Sequence, residues 1–166
     1  LFVSALHFLP DAKAGDPAIF AGALLSIPVV LALIGGGSLY KVSQLAGGGR
    51  VVAEMLGGRL VEPGTPEAHE RRLLNIVEEM SIASGVPTPR VYVMDEEPPI
   101  NACAAGYSPG DAVIGVTRGT MEQLSRDELQ GVIAHEYSHI LNGDMRLNIR
   151  LIGILHGILI LGIIGY

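Results

Sequence analysis

The chain has 166 residues, of which 49% are hydrophobic and 17% are charged. A mean hydropathy of +0.42 with so few charges indicates a membrane protein. The net charge of −6 argues against nucleic acid as a partner, and the single cysteine, Cys103, excludes an internal disulfide bond.

Uncharged stretches near both ends of the chain predict membrane helices. No charged residue occurs in residues 17–40, and about 20 apolar residues cross a bilayer as a helix, so we predict a transmembrane helix over residues 18–40. Residues 151–166 are predicted to begin a further transmembrane helix. Residues 1–9 are interpreted as the end of a preceding membrane helix or, alternatively, as a frayed terminus. Because the chain starts with Leu and ends inside an apolar run, we interpret it as part of a longer protein.

His156 lies inside the second uncharged stretch. An ionisable residue within a membrane helix is a functional candidate. We expect a hydrogen bond between helices here, with metal binding as the alternative.

Residues 41–150 separate the two predicted membrane segments and contain ten of the eleven Lys and Arg residues. By the positive-inside rule, this domain faces the cytoplasm. The sequence therefore predicts a multi-pass protein of the cell (inner or plasma) membrane with a cytoplasmic domain. Residues 47–49 are three glycines that lack the spacing of a phosphate-binding loop, so nucleotide binding is not predicted.

A helix is predicted in the first half of this domain. Thr65 is placed as its cap and Pro66 at its first position, and Gly85 ends it. We expect Ile82 on its buried side and Glu70 on its solvated face.

Three short strands follow in the predicted order of elements. They cover residues 91–94, 102–107 and 112–117, and the last two are joined through the turn at residues 108–111. The expected result is a small, mostly antiparallel sheet. An extended polypeptide can bind as an added strand at the edge of such a sheet.

The next predicted helix carries His135-Glu136-Tyr137-Ser138-His139. Residues four apart lie on one face of a helix, so His135 and His139 can bind one metal ion. Glu136 lies on the flank of that face, from where its carboxylate can reach a water at the metal without being a ligand. Two His ligands with a Glu general base are the zinc-peptidase arrangement.

The sequence around this motif favours a packed helix over a solvated one. Ser125 and Glu128 form a predicted capping box, and Gly143 is a plausible helix end. The positions that flank and separate the two histidines are uncharged apart from Glu136 itself, as expected for a half-buried helix.

The run "LSRDELQGVIAHEYSHILNGDMRLNIRLI" (residues 124–152) resembles the HtpX-like membrane zinc metallopeptidases, which are related to the CAAX prenyl proteases. The resemblance continues back through "SGVPTPRVYVMDEEPPINACAAGYSPGDAVIGVTRGTMEQL" to about Val51. It implies an α+β fold: a zincin-like catalytic domain, with a small sheet and the His-Glu-x-x-His helix, flanked by transmembrane helices. It also implies an endopeptidase with one Zn²⁺ per chain and polypeptide substrates.

The resemblance places a substrate-binding edge at Asn101, Ala102, Cys103 and Ala104. Similar proteins usually have an aromatic residue where this chain has Cys103, which affects the expected pocket shape and leaves the chemistry unchanged. Asn101 either bonds near the substrate or is a turn residue after Pro99. The third zinc ligand of the family is a Glu on a later helix, which we expect beyond Tyr166.

The implied mechanism uses a zinc-activated water and Glu136 as the general base. Asp144 either accepts a hydrogen bond from a ligating imidazole or only caps the following helix. Two other classes of function stay open: a catalytically inactive scaffold or pseudoprotease that retains the motif, and a channel or transporter subunit.

Overall fold

The computed structural model describes residues 17–165 of the chain. They divide into two compact units, one of residues Gln44–Leu151 and the other of the residues up to Ser43 together with those from Ile152. In chain order the elements are α1 (Pro17–Gln44), a 3-10 turn (Leu45–Gly47), α2 (Gly49–Met55), β1 (Arg59–Leu60), α3 (Ala68–Ser84), β2 (Arg90–Met94), β3 (Ala102–Ala105), β4 (Val113–Thr117), α4 (Arg118–Gln123), α5 (Arg126–Asn142) and α6 (Asp144–Gly165).

A four-stranded sheet in the order β1-β2-β4-β3 forms the centre of the Gln44–Leu151 unit. β1 pairs antiparallel with β2, β2 parallel with β4, and β4 antiparallel with β3. The predicted small sheet with mostly antiparallel pairing is therefore confirmed, and β3 lies at one edge.

The two faces of this sheet bury different residues because successive side chains of a strand point in opposite directions. Val91, Val93, Ile114 and Val116 belong to a cluster shared with α3 and α5. Tyr92 and Val113, on the other face, belong to a smaller cluster with Leu45 and α2. The larger cluster holds α5 against the sheet and so positions the motif.

The start of α3 differs from the prediction. The helix begins at Ala68, and its cap is Glu67, whose carboxylate accepts the Glu70 N–H at 2.5 Å. Thr65 does not cap the helix, because its hydroxyl donates instead to the Glu70 carboxylate at 2.5 Å. The predicted end at Gly85 is confirmed, with φ 70° in the left-handed region.

The predicted faces of α3 are also wrong at two positions. Glu70 is 6% exposed, and Ile82 is 79% exposed. Glu70 lies three positions before Leu73, on the buried stripe, whereas Ile82 lies nine positions after Leu73 and so about half a turn away from it. Arg59 offsets the burial of the Glu70 charge through an ion pair at 2.7 Å.

Two apolar helical segments, Leu24–Gly47 and Asp144–Ile164, are long and apolar enough to cross a membrane by length and composition; most of the first and the second half of the other belong to the second unit. The predicted helix over residues 18–40 lies within α1. The helix predicted to start at residue 151 starts seven residues earlier, at Asp144. The prediction for residues 1–9 falls outside the described part of the chain.

Glycines let α1 and α6 approach closely in this unit. A Cβ added at Gly157 would lie 2.4 Å from the Ile34 carbonyl oxygen, and one at Gly153 would lie 2.4 Å from a Val42 methyl group. Gly153 and Gly157 are four positions apart, the small-xxx-small spacing typical of close packing between membrane helices.

Candidate metal centre

The helix that carries the motif has well-defined ends. Ser125 and Glu128 form the predicted capping box, in which the Ser125 N–H donates to the Glu128 carboxylate at 2.9 Å. Gly143 ends α5 with φ 74°. These contacts satisfy backbone groups at both termini, so α5 is defined by its own sequence as well as by packing.

One side of α5 is fixed in the core. Leu129, Ile133, Tyr137 and Ile140 are at most 1% exposed. The Tyr137 hydroxyl donates to the Val77 carbonyl of α3 at 2.8 Å. Because Tyr137 points into the core, the two histidines on either side of it in the sequence face outward.

The motif brings the two imidazoles together. His135 Nε2 and His139 Nε2 lie 3.2 Å apart, and the rings meet edge to face with centroids 4.7 Å apart. Two nitrogens at about 2.05 Å from a tetrahedral zinc are separated by about 3.3 Å. The donor pair therefore fits a shared zinc ion.

Asp144 lies behind one of these rings. Its carboxylate oxygen Oδ2 is 3.2 Å from His139 Nδ1. Gly143, in a left-handed conformation, separates α5 from α6 and so stands between His139 and Asp144 in the chain. When Nδ1–H donates to the carboxylate, Nε2 carries the free lone pair that a metal ligand needs. Asp144 is also the first residue of α6, so both roles considered from the sequence fit its position.

Glu136 is largely buried, with 7% of its surface exposed. α5 packs against the edge strand β3, and burial, followed by the nearby Glu136 charge, raises the pKa of the Cys103 thiol. Glu136 is therefore a buried residue of the helix that packs against the edge strand.

The remaining predicted site residues occupy three places. Ala102, Cys103 and Ala104 lie in β3, at the free edge of the sheet. Asn101 lies one position before β3, and its backbone is bonded to Thr117 and Thr120. His156 lies in α6, within the other unit, and is half-buried there.

No set of three His, Cys, Asp or Glu side chains that could hold a metal ion occurs among residues 17–165. The available metal donors are the imidazoles of His135 and His139, and the Asp144 carboxylate lies behind the His139 ring.

Sequence reasoning missed Tyr137, Thr117 and Thr120 as supports of the site. Tyr137 has no sequence signal, because its partner is 60 positions away. Thr117 and Thr120 do have a detectable sequence signal. The Thr117 side chain caps α4 by accepting the Thr120 N–H, and a threonine at a helix cap is predictable from sequence.

The sequence is similar to those of known peptidases. The sequence profile described as Peptidase family M48 matches residues 67–165. Proteins named "Protease HtpX homolog" match from Dictyoglomus turgidum, with 56% identity over 75 residues, and from Streptococcus thermophilus, with 36% identity over 129 residues. The first match covers 45% of this chain and 24% of the relative; the second covers 78% and 39%.

The mixed sheet, the packed motif helix and the profile match define a metallopeptidase domain. The chain belongs to peptidase family M48, and its curated relatives make it HtpX-like. The resemblance inferred from the sequence is therefore confirmed. The chain spans about a quarter to two-fifths of the length of these relatives.

Proposed function

We propose that the complete protein is a membrane-integrated, zinc-dependent endopeptidase that hydrolyses peptide bonds of membrane or misfolded proteins. The observation that supports it most is the pair of imidazole nitrogens 3.2 Å apart, with Asp144 behind one ring. His135 and His139 would hold one zinc ion per chain, together with a third ligand outside this donor set.

A bound zinc ion supplies a Lewis acid that polarises the scissile carbonyl and lowers the pKa of the attacking water. Glu136 accepts the proton of that water and then passes it to the leaving amine. Its burial at 7% exposure keeps the carboxylate out of bulk water, where proton transfer would compete with solvent. Asp144 orients the His139 ring by accepting its Nδ1–H.

The edge strand β3 is the proposed binding site for the substrate backbone. The Thr117 N–H donates to the Asn101 carbonyl at 3.0 Å, so Asn101 points its backbone groups toward β4. Inward and outward groups alternate along an antiparallel strand. Ala102 and Ala104 therefore direct their N–H and C=O groups to the free edge, where an extended polypeptide can pair with them.

Membrane integration is proposed for α1 and α6 from their length and apolar composition. The concentration of Lys and Arg in residues 41–150 favours a cytoplasmic position for the peptidase domain. This placement would give the site access to polypeptides that emerge at the membrane surface.

Metal removal tests the function and separates it from an inactive scaffold. The complete protein, purified in detergent, should cleave casein, lose cleavage when treated with a zinc chelator and regain it with stoichiometric zinc. Protein that holds no stoichiometric zinc and cleaves no polypeptide would favour the scaffold, which retains the motif without the metal.

A further inference from the structure

The segment that leads into the edge strand is held by two buried hydroxyl groups. Thr117 Oγ1 donates to the Pro99 carbonyl at 2.6 Å, and Thr120 Oγ1 donates to the Asn101 carbonyl at 2.7 Å. The Asn101 N–H donates in turn to the hydroxyl oxygens of Thr117 and Thr120, at 3.0 and 2.8 Å respectively. We call Thr117 and Thr120 the threonine clamp.

The two hydroxyl groups are buried, since Thr117 is 3% exposed and Thr120 is 0% exposed. Removal of the Thr117 hydroxyl takes a donor from the Pro99 carbonyl, and removal of the Thr120 hydroxyl takes one partner from the N–H and one from the carbonyl of Asn101, which then keep only their bonds to Thr117. A neighbouring glycine shows how closely α4 approaches the segment. A Cβ added at Gly119 would lie 2.0 Å from the Pro98 carbonyl oxygen.

The clamp acts on Asn101, whose backbone orientation determines which N–H and C=O groups of β3 face the free edge. Asn101 directs both its backbone groups inward, and this orientation makes Ala102 and Ala104 the residues that face outward. If the Asn101 backbone rotates or slips by one position, the groups offered at the free edge change.

We propose that the threonine clamp is a positioning device for substrate binding: it holds Asn101 so that β3 offers an edge of fixed register to an extended polypeptide. The proposal rests on the proposed peptidase function. The hydrogen bonds of the two threonine side chains go to Pro99, Asn101 and each other and not to His135, Glu136 or His139, so the clamp acts through β3. Its loss should therefore weaken binding of the polypeptide and leave proton transfer at Glu136 intact.

Steady-state cleavage of a fluorogenic peptide by the complete, zinc-loaded protein tests this proposal. Thr120→Val removes the hydroxyl at nearly constant shape and should raise KM about tenfold, with kcat within about twofold. Thr120→Ser retains the hydroxyl and should restore KM to near the wild-type value. Zinc content and the thermal unfolding midpoint are measured for every variant.

Ser81→Ala is the matched control. The Ser81 hydroxyl is also buried and donates to a backbone carbonyl, that of Val86, at 2.6 Å, but this bond lies at the end of α3 and does not touch β3. It should lower thermal stability and leave KM unchanged.

The outcomes separate the two proposals. A wild-type protein without chelator-sensitive cleavage would overturn the peptidase function and the clamp with it. An active wild type whose KM is unchanged in Thr120→Val, or raised equally in Ser81→Ala and Thr120→Val, would overturn the clamp alone. If Thr120→Val does not fold, Thr117→Val takes its place in the test. A rise in KM for Thr120→Ser as large as that for Thr117→Val would then overturn the clamp proposal.

Discussion

Among single residues, the two histidines of the site are placed by helix periodicity, and Asp144 is placed by the turn that follows the helix. The spacing of His135 and His139 places both rings on one face in any regular helix, so their approach was predictable. The role of Asp144 was open in the sequence, because it depends on how the chain turns at Gly143. The turn places the carboxylate 3.2 Å from the His139 ring.

Asp144→Asn tests whether this contact supports the metal. An amide in place of the carboxylate weakens the hydrogen bond that orients the ring, and zinc affinity should fall about 10- to 100-fold. The measurement is competition with a chromophoric chelator, and Asp127→Asn, at the other end of α5, is the control. If Asp144 is only a helix cap, its variant will lose stability and keep its zinc affinity.

Residue-level sequence reasoning failed where the partner is distant. Thr117 and Thr120 bind the backbone of Asn101, which lies 16 and 19 positions earlier in the chain. Only the folded pairing of β3 with β4 brings these groups together. The same holds for Tyr137 and Val77.

At the scale of elements, the helices and strands of the motif domain were mostly predictable, and their errors have local causes. The β-branched runs at residues 91–94 and 113–117 form strands as expected. The faces of α3 were predicted poorly, because a charged residue, Glu70, lies on its buried stripe and is stabilised by Arg59 at 2.7 Å. Arg59 belongs to a different element, β1, so this pairing leaves no trace in the local sequence.

The ion pairs of Arg59 predict acid sensitivity. Hydrogen bonds from Thr65 and then Arg59 hold the pKa of Glu70 below its usual range, and Arg59 does the same for Asp95. A carboxylate with a lowered folded pKa stabilises the fold above its unfolded pKa and loses that contribution as the pH falls through the folded value. The unfolding midpoint should therefore drop as the pH falls below about 5.

Arg59→Met should lower stability at neutral pH by about 1–3 kcal/mol, because it leaves the buried Glu70 without its cation, and it should flatten the acid dependence. Arg126→Met, which removes an ion pair with Glu79 whose side chains are about half exposed, is the control. An equal loss in both variants would show that the burial of Glu70 is irrelevant. Thermal unfolding monitored by circular dichroism over pH 3–8 gives both quantities.

Close packing of α1 and α6 predicts intolerance of one added methyl group. Gly157→Ala places a Cβ 2.4 Å from the Ile34 carbonyl oxygen and 2.3 Å from the Ser38 hydroxyl, so the helices must move apart and the thermal midpoint in detergent should fall. Gly162→Ala, on the same helix, meets nothing within 4 Å and should leave the midpoint unchanged. A midpoint for Gly157→Ala equal to that of Gly162→Ala would contradict the observed packing.

At the scale of the whole molecule, composition alone indicated a membrane protein with a compact domain between apolar helices. The boundaries of the units, at Ser43 and Ile152, lie near the changes of composition in the sequence. The start of α6 at Asp144 was not predictable from hydropathy, because its first turns carry Asp144, Arg146 and Arg150.

The orientation in the membrane is tested by labelling of single cysteines on intact cells. With Cys103 replaced by Ser, a cysteine at Lys13 should react with an impermeant maleimide, and one at the exposed Glu62 should react only after the cells are opened. Reaction of the Glu62 position on intact cells, without reaction at Lys13, would show the opposite orientation.

Glu136 is proposed to move a proton at a zinc ion held by His135 and His139. The most direct measurement is the cleavage rate of the Glu136→Gln protein, with its zinc content determined on the same sample. Because the amide cannot accept the proton while both imidazoles are intact, we predict stoichiometric zinc and a loss of cleavage of about 10²-fold or more. Glu122→Gln, at an exposed ion pair with Arg118, should cleave at the wild-type rate. A Glu136→Gln protein that retains zinc and cleaves within about tenfold of the wild-type rate would contradict the claim.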